Sequence, residues 1–510
     1  MEGDWIKSLA SYHSLTEGQA GNLEGIGRIS KRFHEEAGIS PVDPELSDVI
    51  VLESGHQPNF LPYSGVWKKA FLLHHVAERL RSDGHKVMPV FGFADYNLST
   101  ASLLYQNKLP DSNKDGYRKI GFHVEKKDKW KRFNRLPEPD GLEGFISDLR
   151  KHYKGNAKRA RVPWENIKGN ADEFIGLLED AHKRAGSFAD FNAMFIASIL
   201  TGMGLELSFF KYTHVQAEAI FLEETRDLAV RTAEYNRACN GSLVKRGLED
   251  LGVVEDYFFP LWHHCDCGGK VSLSMLDDIC QGRCPVCDKG SRLEFGKDCE
   301  NLERYYKDVA PTAIARNLIF SQGLGTTLFI SGTGGGLRYG QIANDASDAM
   351  GYHKPVTAAW RGKDYYVGVS QAACLNDLGK ALDVPADKMG GDLKMQVQAR
   401  RQSLENMMAG VPEEERKTMQ KYKGMMKNID TRLNITSQIF KVVPSATDLF
   451  INFGLEGSRN AWADALCKLR IEDGEFKLIL ADSNYGSVTG SYLFEDIPSL
   501  FRTYNDLSHT

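Results

Sequence analysis

The stretch Val49-Ile50-Val51-Leu52-Glu53-Ser54-Gly55-His56-Gln57-Pro58-Asn59 decides how this chain is read. Its first five residues are a continuous apolar run, the kind that forms a strand buried on both faces of a parallel sheet. Small and polar residues then end the run. A helix is predicted over Tyr63–Ser82, where Val66, Ala70, Leu73 and Ala77 recur at three- and four-residue spacing. A second apolar run, Lys86–Phe93, stops at Ala94-Asp95-Tyr96-Asn97. Strand, helix and strand make a βαβ unit, whose crossover is right-handed as a rule. The fold class is therefore α/β, with a Rossmann-like parallel sheet as its core.

The same grammar returns later. Thr326–Ser331 reads as a short buried strand, Gly332-Thr333-Gly334-Gly335-Gly336 as a loop, Arg338–Met350 as a helix and Val356–Trp360 as a last strand. Between the two halves, helices are predicted at Ala171–Ala185, Phe188–Gly202, Ala217–Asn240 and Leu302–Ala310, with a strand near Leu205–Tyr212. This suggests a core split into 49–260 and 296–370. An N-terminal extension, 1–48, packs on it. A Lys-, Arg-, Asp- and Gly-rich insertion occupies about 107–170, and a cysteine-bearing insert 261–295. Residues 371–440 are charged and Met-rich without a strand signal, and read as a helical hairpin or coiled-coil arm. The segment 441–510 carries a strand near Lys477–Leu480.

Composition limits the function. The 510 residues allow about three or four folding units. With 42% hydrophobic and 26% charged residues, wholesale disorder is excluded. Sixty-three basic against 68 acidic residues leave a net charge of -5, which excludes a strongly basic nucleic-acid coat protein. The start, MEGDWIKSLASYHSL, lacks a basic segment followed by an apolar one, so no signal peptide is expected. No run of about 18 apolar residues suggests a membrane span. A reducing, cytoplasmic compartment is the expectation, and there clustered cysteines mean metal more often than disulfide.

Five of the nine cysteines fall between Cys265 and Cys287. Cys265-x-Cys267, followed by Gly268-Gly269, and Cys284-Pro285-x-Cys287 form two thiol pairs on turn-like segments. Four thiolates suit tetrahedral Zn2+ and leave no open position, so a structural zinc-ribbon-like site is expected rather than a catalytic one. The first spacing is CxC instead of CxxC, which keeps His263, His264 and Cys280 as candidate replacement ligands. A redox dithiol is the competing reading.

Ligands of open α/β sheets bind outside the carboxyl ends of the strands. Gly55, His56, Gln57 and Asn59 stand there, where the following helix offers free N–H groups to an anion. Lys68 and Lys69 lie one to two turns into that helix. Gly332, Gly334, Gly335 and Gly336 form a second cradle, which is neither a Walker A nor a GxGxxG motif. Arg338, Tyr339 and Gln341 follow in the next helix. Asp95 and Asn97 close the second strand at the same edge, Asp95 either as a pocket carboxylate or as a helix cap. Lys126–Arg135, KKDKWKRFNR, interleaves Trp130 and Phe133 with basic residues; it reads as solvated surface before it reads as a nucleic-acid contact.

Three segments together resemble the cysteine-adding enzyme family of bacillithiol biosynthesis. They are Ser54–Leu61 with Trp67-Lys68-Lys69, Val87–Asp95, and Phe329–Gly335 with Tyr339-x-Gln341, in the family's order. The resemblance implies a core similar to class I aminoacyl-tRNA synthetases and a coiled-coil arm that supports dimers. It implies ATP with Mg2+ as cosubstrate, and an amide formed between the cysteine carboxyl and an amino-sugar amine. His56, Gln57 and Asp95 are then the catalytic candidates. Gly55, Asn59, Lys68, Asn97, Gly332, Gly334, Gly335, Gly336, Tyr339 and Gln341 are the nucleotide- or substrate-binding candidates. Cys265, Cys267, Cys284 and Cys287 are the metal ligands. Two departures stand out. The family's acidic run after the second strand is here Ala94-Asp95-Tyr96-Asn97, and the cysteine knuckle is not a family feature. The expected partners are small molecules and a second copy of the chain. The rival functions are a tRNA- or RNA-binding relative of the synthetases and a nucleotidyltransferase of sugar or cofactor synthesis.

Overall fold

The computed structural model describes residues 2–10, 15–42, 49–96, 102–125, 136–385, 393–412, 414–443 and 445–489. Asn97 and the basic–aromatic stretch 126–135 lie outside the described residues.

Seven strands form the main sheet: β1 (Ile50–His56), β2 (Val87–Phe93), β3 (Ser208–Lys211), β4 (Leu328–Ser331), β5 (Val356–Arg361), β6 (Arg470–Asp473) and β7 (Lys477–Leu480). They lie in the order β6-β7-β5-β4-β1-β2-β3. All neighbours pair in parallel except the edge pair β6 and β7. From β3 to β5 the order is that of a doubly wound α/β sheet, and the winding reverses between β1 and β4. Leu52 is in register with Leu328 and Ser54 with Ile330, so the carboxyl ends of β1 and β4 open side by side.

The apolar run of β1 alternates between two cores, as the pleat requires. Ile50 and Leu52 face one with Phe91, Phe93, Leu328 and Ile330. Val49 and Val51 face the other with Met88, Val90 and Phe210. Helices Ser64–Ser82, Phe188–Gly202 and Ala446–Cys467 cover the first face, and helices Thr232–Arg246, Ala313–Leu324 and Gly335–Met350 cover the second. Trp67 and Phe91 are 1% and 0% exposed. Burial at that level contributes roughly 1.5–3 kcal/mol for each large side chain. The helix Glu17–Ala37 runs along β3 and closes that sheet edge. It opens with a capping box between Thr16 and Gln19 and ends at Gly38 in the left-handed region (φ 69°). Such caps satisfy orphan backbone groups at both ends.

A second, antiparallel sheet takes Val309–Pro311, Phe258–His264, Lys270–Leu276, Ile279–Arg283 and Gly290–Glu294 in that order. It has its own small core around Phe259, Leu261, Val271, Leu273 and Phe295.

Several local expectations are corrected. The predicted helix Ala217–Asn240 is three helices, Tyr212–Ala217, Leu222–Val230 and Thr232–Arg246. Phe221 takes a left-handed backbone (φ 64°), and its N–H donates to Asn22 Oδ1 at 3.3 Å. Leu302–Ala310 is one helical turn, Leu302–Tyr305, that passes through Tyr306–Asp308 into an edge strand. The polar segment read as an insertion holds a hairpin, Gln106–Pro110 with Tyr117–Gly121, and the amphipathic helix Pro139–Ala160. Leu142, Phe145, Leu149 and Tyr153 from that helix join the main core. The helices expected after 371 are Val369–Leu382, Leu393–Ala409 and Arg416–Lys441. The first is mostly buried, packing against Pro139–Ala160 and Arg416–Lys441. The core helix Ala446–Cys467 lies where only a strand and loops were read.

Candidate functional site

A cavity of about 660 Å³ opens where the winding of the sheet reverses. Gly55, His56 and Gln57 line it from the end of β1, Phe329, Ser331 and Gly332 from β4 and the loop after it, and Gly336 from the start of helix Gly335–Met350. Thr312, Ala313, Arg316 and Asn317 line it from the first turn of helix Ala313–Leu324. Tyr339 comes from the first turns of helix Gly335–Met350. Two helix N-termini thus meet the cavity, each carrying unpaired N–H groups and the positive end of a helix dipole.

The charged lining has one sign. Lys69, Lys270 and Arg316 line the cavity, and among the described residues no aspartate or glutamate does. Lys69 Nζ donates to the Gly55 carbonyl at 2.5 Å. Burial, with Arg316 close by, pulls the Lys69 ammonium down to about 7. The Arg316 guanidinium lies over the Tyr212 ring, 5.3 Å from its centroid.

His56 is held in one tautomer. Its Nδ1 lies 2.7 Å from the Gln57 carbonyl, which only accepts, so Nδ1 carries the proton and Nε2 the lone pair. Burial first and Lys69 second, with a smaller push from Arg316, bring its pKa down to about 3. The imidazole is therefore neutral at ordinary pH. Glu53 sits in the same strand, buried, and accepts from Thr326 Oγ1 at 2.8 Å. Burial raises it to about 7 against the opposing pull of Thr326 and Arg316.

Gly55 is required by close packing. A Cβ there stands 2.5 Å from Tyr212 Oη and 2.9 Å from the Gly92 carbonyl. Away from the charges the wall is apolar: Leu243, Leu251, Val254, Phe258 and Ile314 line it. Cys239 lines the same wall, its thiol pushed up to about 12 by burial.

The loop residues proposed from sequence part company here. His56, Gln57, Gly55, Gly332, Gly336 and Tyr339 line the cavity; Asn59, Lys68, Asp95, Gly334, Gly335 and Gln341 do not. Lys68 is one residue from Lys69, about 100° round the helix. It points instead to the chain just after β5, donating to the Gly362 carbonyl at 3.3 Å and pairing with Asp364 at 2.8 Å, both side chains of the pair 3% exposed. Asp95 is a cap: Oδ1 accepts from the Thr213 N–H at 3.0 Å, and Thr213 Oγ1 donates to Oδ2. Its carboxyl is raised to about 6, chiefly by burial. Gln341 Nε2 donates to Glu475 Oε2 at 3.3 Å. Gly334 is the N-cap of helix Gly335–Met350. Asn59 turns in, its N–H donating to the Gln57 carbonyl at 2.8 Å.

Arg316 and Lys270 were not proposed from the sequence. The cue for Arg316 is weak: Thr312 before an apolar segment marks a helix start, and Arg316 lies in the first turns after it. Lys270 follows Gly268-Gly269 at the start of a strand and carries no local motif.

The four thiols Cys265, Cys267, Cys284 and Cys287 come together, their sulfurs all within 4.8 Å of one another. Cys265 Sγ is 3.6 Å from Cys287 Sγ, and Cys267 Sγ 3.5 Å from Cys284 Sγ. Four ligands about 2.3 Å from a tetrahedral zinc stand about 3.8 Å apart, so the donor set fits. The Gly269 N–H points at Cys267 Sγ and the Val286 N–H at Cys284 Sγ, each at 3.4 Å. These donors suit thiolates that carry charge. The candidate replacements lie elsewhere. Cys280 is fully buried opposite Leu293 in the sheet, His263 Nδ1 is 2.9 Å from Ser291 Oγ, and His264 packs on Tyr96. No helix among the described residues is long and apolar enough to cross a membrane. Compared with known proteins, the chain matches no family model and none of the curated sequences.

Proposed function

We propose that the cavity binds ATP and that the protein is an ATP-dependent carbon–nitrogen ligase. In this reading it resembles the cysteine-adding enzyme of bacillithiol synthesis and joins an amino acid carboxyl to the amine of a small acceptor. One observation carries the nucleotide part of this reading. At the sheet's switch point stands a cavity with three basic side chains, two helix N-termini and, among the described residues, no carboxylate. A polyphosphate supplies the missing negative charge. The apolar wall from Leu243 to Phe258 suits a base or an aliphatic group.

The amino acid carboxylate attacks a phosphorus of ATP and displaces either pyrophosphate or ADP. The acceptor amine then attacks the activated carbonyl carbon, and AMP or phosphate leaves with one carboxyl oxygen. Lys69, Arg316 and Lys270 stabilise the charge that builds on the phosphates. His56 takes a different part from a phosphate ligand. Neutral, with its proton committed to Gln57, it offers the Nε2 lone pair as a hydrogen-bond acceptor that orients the attacking amine, whose proton passes on to water. Mg2+ accompanies the nucleotide, and structural Zn2+ sits in a zinc-ribbon-like insert. The helices Leu393–Ala409 and Arg416–Lys441 form the arm of a cytoplasmic homodimer.

The test mixes the protein with ATP, cysteine or another amino acid, and an amino sugar. AMP or ADP is followed and the product is weighed by mass spectrometry. An amide product with stoichiometric nucleotide turnover is expected. Turnover with no amino acid at all replaces the ligase by a hydrolase, and a stable product that keeps the nucleotidyl group, with pyrophosphate released and no amide formed, replaces it by a nucleotidyltransferase.

A further inference from the structure

The four-thiol cluster and the cavity meet through one turn. Cys265–Gly269 joins the strands Phe258–His264 and Lys270–Leu276; Cys265 N–H donates to the Gly269 carbonyl at 2.9 Å, and Gly268 N–H to the Cys265 carbonyl at 2.7 Å. The first strand sends Trp262 into the cavity wall, and the second sends Lys270 from the residue directly after the turn. His264 pairs with Lys270 and Trp262 with Ser272 across the hairpin. Lys270 Nζ lies 5.0 Å from the Trp262 ring centroid and 5.5 Å from that of Tyr96, which follows β2 in the main sheet. One basic side chain thus bridges the small sheet and the large one at the mouth of the anion site.

Such a stack is directional and needs its register held. Besides its two backbone bonds, the turn contains two glycines, one in the left-handed region (Gly268, φ 86°), and Asp266, which pairs with Lys289 of the facing turn at 2.8 Å. Both partners of that pair are exposed, and such a pair adds little stability. What opposes its two thiols is the second pair, Cys284 and Cys287, from the turn between Ile279–Arg283 and Gly290–Glu294. A metal in the cluster cross-links the two turns.

We propose that the four-thiolate centre is a positioning element of the cavity: metal bound there fixes the turn from which Lys270 reaches the anion, and so sets the affinity for polyphosphate. Lys270 is the binding residue in this scheme and the cluster acts through it. The scheme rests on the nucleotide reading of the cavity.

The full-length, zinc-loaded protein is compared with protein stripped by a chelator and with the Cys284→Ser/Cys287→Ser variant, whose changes lie outside the Lys270 turn. Each is made with and without Lys270→Ala. ATP and tripolyphosphate binding are measured by calorimetry, fold by circular dichroism, and backbone order by hydrogen exchange over 262–276. Lys270→Ala in zinc-loaded protein is expected to weaken both ligands about tenfold, the size of one lost charge-assisted contact. Stripping the metal is expected to weaken them as much, with no further loss from Lys270→Ala, and zinc added back is expected to restore both affinity and protection. Full additivity of the two losses, an unmoved affinity after stripping, or protection over 265–275 that ignores the metal overturns the positioning role. Zinc-loaded wild-type protein that binds neither ligand overturns the nucleotide reading instead, and the hydrogen exchange then still decides whether metal holds the turn.

Discussion

Lys68 and Lys69 are neighbours in sequence with opposite employments. Lys68 is buried against Asp364 with Trp360 beneath it, 5.1 Å from the ring centroid. Removing one member of a buried pair strands the other charge. Lys68→Met is therefore expected to lower stability by about 3 kcal/mol in denaturant titration, with ATP affinity unchanged in the protein that remains folded. Lys69→Met is expected to do the reverse, costing affinity at least tenfold and little stability. The Lys69 ammonium stands at about 7 in the free protein because of burial and Arg316. An anion beside it raises that value, so binding takes up a proton above pH 7. ATP affinity is expected to fall as pH rises from 7 to 9, with proton uptake read by calorimetry in buffers of different ionisation enthalpy. Glu53 carries the opposite kind of liability. Its folded pKa, about 7, lies above its unfolded value, so the stability linked to it is full below about pH 4.5 and lost as pH rises through 7. Glu53→Gln is expected to raise the melting temperature at pH 8, by about 1–3 kcal/mol of stability, and to do little at pH 4.5.

At the scale of elements, the turns and helices show where local pattern suffices. The strand β1 and the helix after it follow from an apolar run and a three-to-four spacing, and both form. The cysteine turns also follow from spacing, because a turn of a few residues brings its own thiols to one side. Gly269 is part of that requirement: a Cβ there stands 2.5 Å from Cys284 Sγ. Gly269→Ala is expected to lower zinc content at stoichiometric metal, measured by mass spectrometry under native conditions. Other elements depend on distant partners. Helical composition over 217–240 is interrupted because the chain between the helices finds better bonds outside. Tyr306 Oη donates to the Ile220 carbonyl at 2.7 Å, and Asn22 accepts from Phe221 N–H. The helix Ala446–Cys467 escapes a periodicity reading because its first half is buried nearly all round, Thr447, Asp448 and Asn452 included, and because it kinks at Gly454 (φ 75°), which breaks the phase. The expected arm is likewise tied to the body. Leu433, 5% exposed in the helix Arg416–Lys441, packs in the main core, so Leu433→Ala is expected to cost about 2–5 kcal/mol in a denaturant titration.

For the whole molecule, the decisive arrangement is the sheet order. A sheet wound in two directions leaves a crevice between β1 and β4, and the chain surrounds that crevice with cations from three separate places. Lys69 comes from the helix after β1, Arg316 from a helix before β4, and Lys270 from the antiparallel sheet, while β1 itself adds the neutral imidazole of His56. ATP at 100 times its dissociation constant is expected to stabilise the full-length protein by about 2.7 kcal/mol in thermal or chemical unfolding. The gain is expected to shrink with added salt, since charge carries the contact.

The amino-acid sequence by itself determined the α/β class, the βαβ opening, the polar edge at His56 and Gln57, and the four-thiol set. The strand, the helix, the polar edge and each thiol pair depend on residues within a few positions of one another, where spacing dictates geometry; the antiparallel sheet then brings the two pairs together. Tertiary structure alone decided that Lys69 rather than Lys68 faces the cavity, that Asp95 caps a helix, and that Arg316 and Lys270 complete the site. Those residues are separated by up to 247 positions, from Lys69 to Arg316. Only the parallel pairing of β1 with β4 and the packing of the antiparallel sheet on the neighbouring helices bring their charges to one cavity.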